Sequence, residues 1–186
     1  MSTHRSIFVT VGTTRFDKLV NAISSPDLLQ LMHDLGFTHL SLQHGNSIVP
    51  TLFLPTIDNS EATTTATVTT IVKVESMQIE VYKYKASLHD DMINADLIIS
   101  HAGAGSILEA LRLQKKLIVV VNEDLMDNHQ QELGSALHEQ GYLVYCNVFR
   151  DLGKALRDKG YESLVPFPAP NAKLFADFLD EHLGFN

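Results

Sequence analysis

The chain has 186 residues, 45% of them hydrophobic, which suits one domain with a sizeable core. Its formal charge of −8 comes without a basic stripe or an arginine-rich aromatic cluster; this argues against a broad nucleic-acid footprint and leaves anionic ligands to local devices such as backbone amides. The longest strongly apolar run, "LIVVV" at 117–121, is far short of the roughly 20 residues of a membrane-spanning helix. The N-terminus lacks a secretory pattern and the single Cys146 has no internal disulfide partner, so a soluble, intracellular protein is expected.

In chain order, "SIFVTVG" at 6–12 reads as a buried strand ending in glycine, and "FDKLVNAI" puts Phe16, Leu19, Val20 and Ile23 on one helical face. "DLLQLMHDLG" continues helical with Gly36 as C-cap, and "FTHLSLQHG" alternates as a strand. Residues 46–70 hold two prolines and the run "SEATTTATVTT"; they read as an insertion, the alternative being an edge strand built on threonine's β preference. "IVKVES" and "IEVYKY" alternate as strands, "ASLHDDMINA" is helical, "DLIIS" is a buried strand and "SILEALRLQ" is helical. "KLIVVV" is a strand, "DNHQQELGSALHEQG" a helix ending at Gly141, and "YLVYC" a strand. "PFPAP" at 166–170 precedes a last helix, "NAKLFADFLDEHL". Strands alternating with helices imply βαβ crossovers, hence an α/β fold with a doubly wound, mainly parallel, Rossmann-like sheet.

Ligands of such sheets gather beyond the carboxyl ends of the strands, at helix N-termini. Three stretches should meet there: "VGTTRF" after the first strand, "SHAGAGS" after Ile99, and "NEDLMDNHQQE" after Val121. Gly103 and Gly105 let the backbone approach a diphosphate, and Ser106 adds a hydroxyl. The bland alternative is equally local: Ser106 with Glu109, and Asp127 with Gln130, have capping-box spacing. His101 taken alone reads as a packed or capping histidine. The adjacent His89, Asp90 and Asp91 point in different directions around a helix, which reads as a solvated face. A dinucleotide site competes, since Glu123 and Asp124 lie about 20 residues beyond Gly103, but Leu108 occupies the third glycine of G-x-G-x-x-G. There is no D-x-D, no zinc spacing and no serine-hydrolase elbow, so no metal site is expected.

Taken together, "FVTVGTTRFDKLV", "DLIISHAGAGSILEAL" and "VVVNEDLMDNHQQELGSAL" resemble the small soluble subunit of the eukaryotic dolichol-linked N-acetylglucosaminyltransferase. That family is similar in turn to the C-terminal, donor-binding half of MurG, a two-domain GT-B enzyme. The resemblance runs from about residue 6 to 146. It implies a two-chain inverting enzyme that transfers the second N-acetylglucosamine from UDP-N-acetylglucosamine to dolichyl-diphospho-N-acetylglucosamine, as a step in lipid-linked oligosaccharide synthesis for N-glycosylation. It also implies work on the cytosolic face of the endoplasmic reticulum through a membrane-anchored partner that holds the general base, with no tightly bound cofactor. By resemblance Glu109 takes the ribose hydroxyls, and Gly103, Ala104, Gly105 and Ser106 form the loop over the diphosphate; His101 is counted with them among the donor-binding residues. Gln130 and Gln131 reach the sugar, His129 stands where the bacterial enzyme tends to have arginine, and Gly12, Thr13 and Thr14 form the first loop. The expected division is a UDP-sugar-binding domain over 1–165, followed by a proline-rich linker and partner-docking helix over 166–186. That helix carries Leu174, Phe175, Phe178, Leu179 and Leu183 on one stripe. An NAD-dependent oxidoreductase and a non-catalytic nucleotide-binding regulatory module are the alternatives.

Overall fold

The computed structural model describes residues 4–54, 69–74, 77–121, 128–146 and 149–169, with the backbone alone for 128–131 and 149–150. Seven strands form one sheet: β1 (Arg5–Thr10), β2 (Phe37–Gln43), β3 (Thr70–Val74), β4 (Met77–Tyr82), β5 (Leu97–His101), β6 (Lys116–Val120) and β7 (Val144–Cys146). Their order is β3-β4-β2-β1-β5-β6-β7. Every described pairing is parallel except β3 with β4, so the doubly wound expectation holds, with an antiparallel strand at one edge.

Alternation along the strands explains how both faces are buried. Ile7, Val9, Leu97, Ile99, Ile118 and Val120 face one layer, while Phe8, Ile98, Leu117 and Val119 face the other. The first layer is built by α1 (Asp17–Ile23), α2 (Pro26–Asp34) and α6 (Phe149–Asp158) through Leu19, Val20, Leu29, Met32, Leu152 and Leu156. The second is built by α3 (His89–Asn94), α4 (Ala104–Arg112) and α5 (Asn128–Glu139) through Met92, Ile107, Leu111 and Leu137. α2 starts where its sequence says: Ser25 Oγ accepts from the Leu28 N–H at 3.3 Å, Pro26 opens the helix, and Gly36 leaves it at φ +88°.

Several sequence expectations are corrected. α4 begins at Ala104 with Gly103 as its N-cap residue and no side-chain cap, so Ser106 lies inside the first turn and the Ser106–Glu109 capping box does not form. α3 is confined to six residues. α6, which the sequence reading did not assign, covers the sheet with Leu152 and Leu156 buried and Ala155 packed beside them among the described side chains; Gly153 weakens its helical signal. At its start the 46–70 insertion is ordered by a 3-10 turn, Thr51–Phe53, with Phe53 fully buried. Its threonine run over 61–68, the D-x-x-Q cap at Asp127, and the helix over 171–183 lie outside the described residues.

The pole away from the carboxyl ends is closed by charge. Glu162 pairs with Arg5 at 2.8 Å and with Lys116, and the lysine partner foremost holds its carboxyl below the usual range.

Candidate functional site

The chain leaves β1 toward one neighbour and one face, and leaves β5 toward the other. The carboxyl ends of β1 and β5 therefore flank the crevice where open α/β sheets bind ligands. Two of the three loops indicated by the sequence meet there. The third, 122–127, lies outside the described residues, as do the side chains of His129, Gln130 and Gln131, whose backbone belongs to the first turn of α5.

The first loop is held from below. Gly12 takes φ +62°, and its N–H donates to Thr10 Oγ1 at 3.1 Å. Thr10 Oγ1 donates to Gln43 Oε1 at 2.6 Å, and the Gln43 amide donates to the carbonyls of Gly12 and Lys83 at 2.7 and 2.8 Å. Asn46 closes the other side, its side-chain amide on the Thr13 carbonyl and its backbone N–H on that of Thr14, both at 3.0 Å. Gly45, at φ +57°, leaves only 2.6 Å between an added Cβ and the Gly12 oxygen. The stretch "QHGNS" at 43–47 thus shapes the site, yet it escapes the sequence reading because its glycine follows a strand that carries no helix after it. Thr13 is exposed and Thr14 half-buried; the Thr14 hydroxyl donates back to the Val11 carbonyl at 2.8 Å.

His101 closes β5 between the two loops. A Cβ at Gly12 would lie 2.6 Å from its ring, and one at Gly103 would lie 2.3 Å from it. Gly103 therefore stays glycine for the sake of the imidazole; its φ of −74° is open to any residue. Burial pushes the His101 pKa down, opposed by the Thr10 backbone. Its Nδ1 is buried without a well-formed hydrogen bond among the described residues. A packed histidine, as the residue alone suggested, is what the fold contains, its ring held against Gly12 and Gly103.

Directly after His101 and Gly103, α4 presents its N-terminus. Ala104 and Gly105 are exposed, Ser106 is half-buried, and an added Cβ at Gly105 meets nothing within 4 Å. The first-turn amides of a helix have no partners within it and carry a partial positive charge. Glu109, one turn on, has a side chain 43% exposed, and its Oε1 lies 3.4 Å from His89 Nδ1. A cavity of about 520 Å3 lined by Lys18, Leu28, Leu31 and Arg157 lies on the α1–α2–α6 face and holds none of these residues. Among the described residues no group of three His, Cys, Asp or Glu side chains could hold a metal, and no helix is long and apolar enough to cross a membrane.

The glycosyltransferase family 28 C-terminal domain matches residues 6–181. The chain belongs to this family. A human relative of this family 28 domain, "UDP-N-acetylglucosamine transferase subunit ALG13", is 46% identical over 143 residues, covering 76% of the chain and 11% of that protein. A Saccharomyces cerevisiae relative of the same name is 34% identical over 195 residues, 95% of each. The domain thus spans about a tenth of the human relative and nearly all of the yeast one. The NMR solution structure of ALG13 superposes with a TM-score of 0.64 at 29% identity over 95% of both chains. MurG of Acinetobacter baumannii superposes at 0.56 with 15% identity, over 97% of this chain and 50% of that one, a likeness of fold to half of that enzyme.

Proposed function

We propose that this family 28 domain is the donor-binding subunit of an inverting N-acetylglucosaminyltransferase. It moves N-acetylglucosamine from UDP-N-acetylglucosamine to dolichyl-diphospho-N-acetylglucosamine in lipid-linked oligosaccharide synthesis. The observation that carries this is the uncapped N-terminus of α4 at the sheet's switch point, with Glu109 one turn behind it. The amides of Ala104, Gly105 and Ser106 face the diphosphate, and the Glu109 carboxylate accepts from the ribose hydroxyls. Gln130 and Gln131 take the sugar, and Gly12, Thr13 and Thr14, with His129, border the crevice. The relatives' printed name, a transferase subunit, supports both the donor and the existence of a partner.

In an inverting transfer the acceptor oxygen attacks the anomeric carbon as UDP leaves, and charge grows on the diphosphate. Fixed amides at a helix N-terminus stabilise that charge without a metal and without reorganising. The acceptor's proton needs a general base, and this reading assigns it to a membrane-anchored partner that also recruits the domain to the cytosolic face of the endoplasmic reticulum. The stripe Leu174, Phe175, Phe178, Leu179 and Leu183 is the segment assigned to that docking. The test is co-expression with a candidate membrane partner and a transfer assay with labelled UDP-N-acetylglucosamine. Acceptor-dependent product supports the reading, UDP binding without turnover under any pairing favours a regulatory module, and NADH binding in place of UDP favours an oxidoreductase.

A further inference from the structure

The sequence reads His89, Asp90 and Asp91 as a solvated face, yet two of the three have partners in the fold. Asp91 accepts from the Tyr82 hydroxyl at 2.7 Å and from Lys85 at 2.8 Å, and Lys85 also pairs with Glu80 and lies 4.0 Å from the Tyr82 ring centre. The Tyr82 side chain is almost fully buried, so this network fixes the first turn of α3 to the carboxyl end of β4. The His89 backbone N–H is itself capped by Ser87 Oγ at 3.1 Å. From this fixed turn the His89 ring crosses to α4 and brings Nδ1 to 3.4 Å from Glu109 Oε1, joining residues 20 apart in sequence.

The two side chains are 51% and 43% exposed, and a pair so open to solvent adds next to nothing to folding. What such a contact does accomplish is rotational. A glutamate on an open helix flank samples several rotamers, and a donor held in place by another element limits that sampling. Facing a carboxylate, Nδ1 acts as the donor. It occupies Oε1 and leaves Oε2 free to accept hydroxyl protons. The geometry points to His89 as a positioning residue: it orients Glu109 toward the ribose of a nucleoside diphosphate and sets donor affinity without touching the reacting atoms. This rests on the ribose role of Glu109 proposed above.

The test uses the two-subunit enzyme with UDP-N-acetylglucosamine as the varied substrate. His89→Ala should raise KM roughly three- to tenfold while kcat stays within about twofold and the melting temperature holds. His89→Asn, whose amide nitrogen falls near the Nδ1 position, should restore most of the loss. In a Glu109→Ala background the His89→Ala change should add nothing, because the two residues act through one contact. An unchanged KM, full additivity with Glu109→Ala, or a KM defect that tracks a lowered melting temperature overturns the inference. A silent His89→Ala beside a damaging Glu109→Ala sinks this inference alone. A silent Glu109→Ala removes the ribose assignment, and the inference goes with it.

Discussion

At the residue scale, the two glycines of "SHAGAGS" have different tasks, which their spacing alone does not reveal. Gly103 makes room for the His101 ring, whereas Gly105 faces open space. Gly103→Ala should therefore cost about 1–3 kcal/mol through forced movement of the ring. Gly105→Ala should leave stability unchanged or raise it by up to about 0.5–1 kcal/mol, since alanine is the better helix residue. If the diphosphate rests on this turn, Gly105→Ala still raises the donor KM; denaturant melts beside transfer kinetics separate the two effects. Two partly buried imidazoles give a pH signature. His101 and His44 both have pKa values lowered foremost by burial, so their contribution to stability is complete above the ordinary value of about 6.5, where both states are neutral. It is lost as pH falls below that value toward the folded-state pKa, because the unfolded chain takes the protons first. The melting temperature should fall from pH 7 to pH 5, and His101→Asn should flatten that slope. An equal slope in the variant would remove His101 from the explanation.

At the scale of elements, Gln43 ties three strand ends together. It sits 1% exposed at the end of β2 and joins Thr10 of β1, the Gly12 carbonyl and the Lys83 carbonyl beyond β4. An apolar residue of similar size fills the space but leaves those groups buried and unpaired. Gln43→Leu should therefore destabilise the domain by about 2–4 kcal/mol in urea unfolding, with loosened protection of the first-loop amides in hydrogen exchange. A loss below about 0.5 kcal/mol would mean that water replaces the bridge. Ser24, also buried at a helix end, donates locally to the Asn21 carbonyl at 3.0 Å, and its hydroxyl joins no second element among the described residues.

For the whole molecule, the question is where the domain ends. The Val165 N–H donates to the Gly141 carbonyl at 2.9 Å, Phe167 stacks edge-on against Tyr142 with centroids 5.1 Å apart, and Gln114 donates to the Phe167 carbonyl at 2.8 Å. The proline-rich stretch is anchored to the body as far as Phe167. A truncation that tests partner docking belongs after Ala169, where these contacts survive. On the proposed reading the shortened chain stays folded, with a melting temperature within a few degrees of the full chain, while membrane co-fractionation and transfer to the lipid acceptor are lost. Normal recruitment and turnover would dismiss the docking role, and early melting or aggregation would assign the terminal segment to this domain's own core. Cys146 offers no complication in such assays, because burial foremost, together with Asp151, pushes its thiol pKa up to about 12.

The sequence by itself determined the order of elements apart from α6, the mainly parallel sheet and the two glycine loops at its carboxyl edge. All three rest on local signals: apolar periods of two and of about 3.6 residues, and glycine where the chain turns. It left α6 unread although Phe149, Leu152, Ala155 and Leu156 recur there at helical spacing; Gly153 inside the segment weakens the helical signal. Only the tertiary structure decided that β5 lies beside β1, and so that His101 is wedged between Gly12 and Gly103, that Gln43 supports the first loop, and that His89 reaches Glu109. Each of those contacts joins residues on different elements. Strand order sets which elements meet, and it is decided by burial summed over the whole core, which no short stretch of sequence encodes.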